Sequence, residues 1–117
     1  MELKKLDIDG VEVTFVNKFV SRRYNFQHVS TLFIDGVKEM THVSTYINRT
    51  WERYTYQTAM LGAVDDLIEQ GKKAELERFK TEHGIKRLTA ERRAEFEQKF
   101  EQLEQTAFLR KVKAELL

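Results

Sequence analysis

Histidine is the natural first candidate for chemistry in this chain, because imidazole both ligates metals and exchanges protons near neutral pH. His28 and His42 fall in segments that read as paired strands, and His83 sits at a helix end. In the register set by the turn between those strands, paired residues sum to 71. His28 then faces Val43, and His42 faces Val29, on opposite sides of the sheet. A shared zinc site is therefore not expected, and a chain without cysteine has no thiolate ligands, disulfides or thiol catalysis. Among carboxylates, Asp65 and Glu69 share a helix face at i, i+4, a pair that suits magnesium binding or hydrolysis, whereas adjacent Asp65 and Asp66 diverge. Glu91, Glu95, Glu97, Glu101 and Glu104 interleave with Arg92, Arg93, Lys99, Arg110 and Lys111, which reads as a solvated face. No glycine-rich phosphate loop or nucleophile motif is present. The expectation is a protein with no catalytic residue, no metal and no cofactor.

Binding chemistry has better local support. Between Val13 and Ile34 there is no acidic residue, and Lys18, Arg22, Arg23 and Tyr24 lie among Phe15, Phe19 and Phe26. Bases that hold phosphate beside rings that stack on nucleobases are the combination of single-strand binders; the alternative is that Phe15 and Phe26 face a core and the bases only solubilise a connection. The densest cluster is Asn48-Arg49-Thr50-Trp51-Glu52-Arg53-Tyr54-Thr55-Tyr56-Gln57. Tryptophan, tyrosine and arginine are enriched at binding hot spots. Trp51 suits fastening a helix to a sheet, while Arg49, Arg53 and Tyr54 suit an outward role.

The elements that must position these residues follow from turn and period signals. Ile8-Asp9-Gly10-Val11 and Ile34-Asp35-Gly36-Val37 each centre an Asp-Gly pair on β-branched and aromatic flanks, the preference of a two-residue type I′ turn. They predict two hairpins, Glu2–Ile8 with Val11–Phe19 and Tyr24–Ile34 with Val37–Ile47. The register puts Ile34, Val37, Leu32, Val43, Phe26, Ile47 and Tyr24 on one core face, continued by Ile8, Val11, Leu6, Val13 and Phe15. Its reverse carries Phe33, Met40, Val29, His42 and Tyr46 and becomes a candidate binding face. From Thr50 the period is helical through Tyr56, Met60, Ala63 and Leu67, with a bend at Gly71 allowed, until Gly84 closes the helix with Ile85 folded back on Phe79. Thr89 caps a last helix of about 42 Å, longer than a compact globule of this length, about 35 Å across. Its far end, Phe108, Leu109, Val112 and Leu116, either overhangs, to form a homodimer or a docking helix for another protein, or folds back at a kink near Gln105-Thr106.

These elements make one α+β domain over residues 1–117: an antiparallel sheet (1–47), a helix (50–83) and a long C-terminal helix (89–117) packed on it. Twenty Lys and Arg against nineteen Asp and Glu, a net charge of +1, argue against a polyanion-binding arm. The polar start, Met1 to Lys5, and the lack of any apolar run approaching the ~18 residues of a membrane span give the expectation of a cytoplasmic protein with no membrane partner.

The stretch Thr41 to Ala59, in which strands lead into Asn-Arg-Thr-Trp-Glu, an aromatic residue and a helix, resembles small accessory proteins of bacteriophages and prophages. The resemblance covers about a fifth of the chain and brings no catalytic residues. It implies a protein made in the host cytoplasm that binds a host protein or ribonucleoprotein, as anti-defence inhibitors of CRISPR effectors do. Under that reading the contact residues are Met40, His42 and Tyr46 with Arg49, Arg53 and Tyr54. The alternative is a nucleic-acid-binding protein using Lys18, Arg22, Arg23 and Tyr24; a third class would be a hydrolase on Asp65 and Glu69.

Overall fold

The computed structural model describes residues 1–21, 23, 25–46 and 56–117. Strands β1 (Glu2–Ile8), β2 (Val11–Ser21), β3 (Phe26–Ile34) and β4 (Val37–Tyr46) form an antiparallel meander in the order β1-β2-β3-β4, followed by helices α1 (Tyr56–His83), α2 (Ala90–Gln102) and α3 (Glu104–Leu116). The α+β class read from the sequence is the observed one.

Both Asp-Gly turns form as expected. Asp9 and Gly10 take φ of 54° and 82°, Asp35 and Gly36 of 48° and 77°, the pair of positive values that a type I′ turn requires. Asp35 also docks the second turn on β2: its amide donates to the Glu12 carbonyl (2.8 Å), and its carboxylate accepts from the Glu12 amide (3.1 Å).

In the second hairpin the register departs from expectation. Ile34 pairs with Val37 and Phe33 with Lys38, but Leu32 then pairs with Met40, and a bulge leaves Glu39 extra. One inserted residue exchanges the two faces of everything beyond it. Met40, His42, Ser44 and Tyr46 therefore face the helices, while Thr41, Val43 and Thr45 face outward. Val43, expected in the core, is 46% exposed; Val37, also expected there, is on the turn side of the bulge and still opposite Ile34, and is 59% exposed beside the turn. His28 and His42, expected on opposite sides, share the covered one.

Helix α1 lies across β3 and β4, and α3 reaches β1, so all described helices sit on one side of the sheet. Between the layers Val13, Phe15, Leu32, Val64 and Val112 are wholly buried, each contributing about 1.5–3 kcal/mol relative to an exposed side chain. Small residues on α1, Ala59 and Ala63, are also wholly buried and let the helix approach closely. The helix runs uninterrupted through Gly71 to His83 and ends as read. Gly84 has φ +61°, the Ile85 amide donates to the Lys80 carbonyl (3.0 Å), the Gly84 amide to that of Thr81 (3.3 Å), and Ile85 packs on the core that holds Phe79. This is a Schellman closure. Thr89 caps α2, accepting from the Arg92 amide at 3.2 Å.

Of the two courses open to the C-terminal segment, the fold-back is the observed one: it is two helices, with the corner at Leu103 rather than at Gln105-Thr106. Leu103 adopts extended backbone, ψ 140°, and α3 folds back so that Leu109, Val112 and Leu116 are 2%, 0% and 7% exposed. Arg110 straps the corner with a bidentate pair to Glu101 (2.8 and 3.3 Å). Gln57 donates to the Leu116 carbonyl (2.6 Å), and Lys113 and Lys111 bridge to Asp65 (2.8 Å) and Asp9 (2.6 Å). With these side chains covered by their own chain, the apolar overhang that motivated a dimer through the last helix is absent. No described helix is long and apolar enough to cross a membrane.

Candidate functional site

Two groups of side chains between sheet and helix are candidates. The first is the cross-strand row Asn17–Ser30–His42, brought into line by the β2–β3 and β3–β4 registers. His42 donates from Nδ1 to Asp66 Oδ2 at 2.6 Å, joining β4 to α1. The imidazole lies directly over Gly62, where a Cβ would come within 2.4 Å of Cδ2 and Nε2. An imidazole oriented by a carboxylate is half of a nucleophile-activating device. The other half is not assembled: Ser30, the hydroxyl directly across the strand pair, is wholly buried and makes no hydrogen bond. Asn17 is likewise wholly buried, with neither amide atom paired. Among the described residues no group of three His, Asp or Glu is placed to hold a metal ion, and Asp65 is engaged by Lys113 rather than by Glu69. The His42–Asp66 contact is a clip between layers.

The second group is a chain of rings at the end of the sandwich away from the Asp-Gly turns. Phe19 stacks on Phe26 (centroids 6.2 Å apart), Phe26 on Tyr46 (5.7 Å) and Tyr46 on His28 (5.7 Å); His28 also meets Phe19 (5.2 Å) and the edge of Tyr56 (5.0 Å). Strand pairing explains the convergence, since Phe19 opposes His28, Ser21 opposes Phe26, and Phe26 opposes Tyr46. Both ring nitrogens of His28 lack hydrogen-bond partners, and burial pushes its pKa below the ordinary histidine value. Burial, and then the neighbouring Tyr56, push the Tyr46 phenol upward. Phe19 caps the stack and is 43% exposed. Tyr46 is the last residue of β4 and Tyr56 the first of α1.

The residues proposed from sequence are distributed as follows. Met40 packs on the core, His42 is clipped to α1, and Tyr46 is 4% exposed within the ring cluster; the bulge at Glu39 moves all three off the outward face on which they were expected. Arg49, Arg53 and Tyr54, with Trp51, lie outside the described residues, as do Arg22 and Tyr24. Lys18 is exposed on the outward face of β2, and Arg23 is exposed beyond its end. Phe15 is core, as one reading had it. Sequence reasoning missed the Gly62–His42–Asp66 contact, although a lone glycine inside a strongly helical stretch, four residues before an aspartate, signals close approach of another group.

Compared with known protein families, with characterised proteins and with solved structures, the chain gives no match.

Proposed function

We propose that this chain is a non-enzymatic binding protein that docks another macromolecule through the ring-lined end of its sheet. The observation that carries the reading is Phe19: a large aromatic side chain, 43% exposed, supported from behind by the stacked Phe26, with exposed Lys18 and Arg23 near it in the sequence. Aromatic residues seated on a rigid element and neighboured by bases are the composition of binding hot spots. Arg49, Arg53 and Tyr54 fall in the sequence between Tyr46 and Tyr56, two members of the ring cluster, which supports keeping those three in the contact set. Met40, His42 and Tyr46 are withdrawn from it. The phage-type resemblance of Thr41 to Ala59 supports a host protein or ribonucleoprotein as target, and an anti-defence inhibitor as role.

The test is tagged expression in a bacterium with mass spectrometry of what co-purifies, repeated with Phe19→Ala, Arg49→Ala, Arg53→Ala and Tyr54→Ala. A partner held by the wild-type chain should be lost from at least two variants whose folding is unchanged. Retention by all four would refute the assignment. A second reading, nucleic-acid binding, is supported by exposed Lys18, Phe19 and Arg23 occurring in one acid-free stretch. An electrophoretic shift with short oligonucleotides that weakens with salt and with Lys18→Ala plus Arg23→Ala selects it; no shift selects protein docking.

A further inference from the structure

The outward face of the sheet is a second surface, distinct from the ring-lined end, and its composition is unlike the rest of the chain. Four cross-strand rows cover most of it: Lys5–Thr14–Phe33–Lys38, Leu3–Val16–Thr31–Thr41, Lys18–Val29–Val43 and Val20–Gln27–Thr45. No acidic residue occurs in these rows, in a chain with nineteen. Apolar side chains run across the middle, and Leu3 and Val43 are 54% and 46% exposed. No described element packs there. Acid depletion around an apolar centre marks the core of an interface.

Its central strand β2 is charge-polar: Glu12 stands at one end and Lys18 near the other, which leads to Arg23, while Asp7, Lys5 and Lys38 lie on the edge strands. We propose that this face pairs with the same face of a second copy, with the two sheets' strands antiparallel, to give a helix–sheet–sheet–helix dimer. A twofold axis along the central row, Leu3–Val16–Thr31–Thr41, places the Glu12 end of each β2 over the Lys18 end of the other copy's β2. Lys18 then lies over Thr14 of the second copy, one rung from its Glu12, and Glu12 already leans that way, its carboxylate accepting from Thr14 Oγ1 at 3.3 Å. Lys5 and Lys38 are on edge strands, which swing toward solvent when sheets pack at the usual angle of about 30°. An axis along the strands would instead put acid over acid. Four strands about 4.8 Å apart and about eight residues long give a face of roughly 500 Å² in flat projection. Side-chain relief brings that near the ~600 Å² per partner at which specific interfaces begin, so the dimer is weak and reversible. The antiparallel arrangement leaves the two ring-lined ends free at opposite poles.

Sedimentation equilibrium of the full chain from about 5 to 200 µM, the range in which an interface of this size is expected to dissociate, is the test. The expected result is a mass rising toward twice 13.9 kDa. Val16→Lys with Val43→Lys should hold the chain monomeric with an unchanged circular dichroism spectrum. Lys18→Glu and Glu12→Lys should each weaken association about tenfold, the effect of losing a symmetric pair of exposed ion pairs. The double swap should return to near wild-type affinity, and because it restores function it stands even if the valine variant misfolds. A wild-type mass that stays monomeric to the top of the range overturns the proposal, whatever else the face then binds. So does a dimer indifferent to Val16→Lys, or a double swap as weak as its parents.

Discussion

Gly62→Ala is the most informative single substitution in this fold. On an ordinary helix the change stabilises by about 1 kcal/mol, because alanine gives up less backbone entropy than glycine. Here the new methyl would sit 2.4 Å from His42 Cδ2 and Nε2 and 2.7 Å from Cε1, more than 1 Å inside ordinary contact between carbon atoms. Three ring atoms are involved, so the whole imidazole must leave and its 2.6 Å bond to Asp66 goes with it. Overpacking of this kind costs about 1–3 kcal/mol, with the upper end applying because the obstacle is a ring held between two layers. The lost contact, 27% and 47% exposed at its two side chains, adds no more than about 1 kcal/mol. After the helix gain is set against these, Gly62→Ala should destabilise by about 2 kcal/mol. In a His42→Ala background the obstacle is gone and the same substitution should stabilise by about 0.5–1 kcal/mol, so the double-mutant cycle should show coupling near 3 kcal/mol. Urea unfolding followed by far-ultraviolet circular dichroism measures all four corners. If Gly62→Ala stabilises the wild-type protein, or the coupling is within error of zero, the close approach of β4 and α1 is wrong.

Because burial lowers the His28 pKa, the unfolded chain binds the extra proton. Stability should be full above the ordinary value of 6.5 and fall as pH drops below it, and His28→Phe should flatten the urea midpoint between about pH 7.5 and 5. Glu101 has the opposite origin but the same sign: the hydrogen bond from Arg110 holds its carboxyl below the usual range, so its contribution is present above that range and lost as pH falls through the folded value. Being exposed, the pair is worth at most about 1 kcal/mol; Arg110→Ala should cost that much at neutral pH and little in acid, measured by urea unfolding at both. Asn17→Val should be neutral or stabilising by up to about 2 kcal/mol in thermal melts, since it removes two unpaired buried amide atoms; a loss of that size would mean the amide has a partner in solution. Deleting Glu39 should be tolerated within about 1 kcal/mol, since it straightens the bulge while leaving Met40 opposite Leu32. Deleting Thr41 should cost more than 3 kcal/mol, because it turns His42, Ser44 and Tyr46 outward.

What was legible in the sequence is what local chemistry decides. Asp9-Gly10 and Asp35-Gly36 demand positive φ, Thr89 offers a capping hydroxyl, and Gly84-Ile85 closes a helix by bonds within six residues; all four formed as read. The bulge was not legible because β4 offers no hydrophobic contrast. Met40, His42, Ser44 and Tyr46 are scarcely more apolar than Thr41, Val43 and Thr45, so periodicity assigns neither set to the core, and a register computed from the turn alone runs one residue off. The corner at Leu103 carries no glycine or proline; it exists because Leu109, Val112 and Leu116 gain more from α1 and β1 than a straight helix would keep. The candidate site shows the same division. Phe19 and Lys18 stand in an acid-free stretch that is visible by eye, while the convergence of Phe26, His28, Tyr46 and Tyr56 depends on the bulged register.

The row Asn17–Ser30–His42 looks at first like a defect in the core, since each unpaired buried polar group costs about 1–3 kcal/mol. Its position explains why the fold keeps it. Strand β4 has two sides of similar polarity, so burial of Met40 and Tyr46 discriminates only in part against a slide by one residue. A slide would replace His42 by Thr41 or Val43 at Gly62, leave Asp66 without its partner, and leave the space that the imidazole fills underpacked. The His42–Asp66 bond and the Gly62 gap together read one register and reject its neighbours, at the expense of some core stability. The same choice of register gives the open face Thr41, Val43 and Thr45 and places Tyr46 in the ring cluster, so the β4 contribution to both proposed contact surfaces follows from one imidazole seated on one glycine.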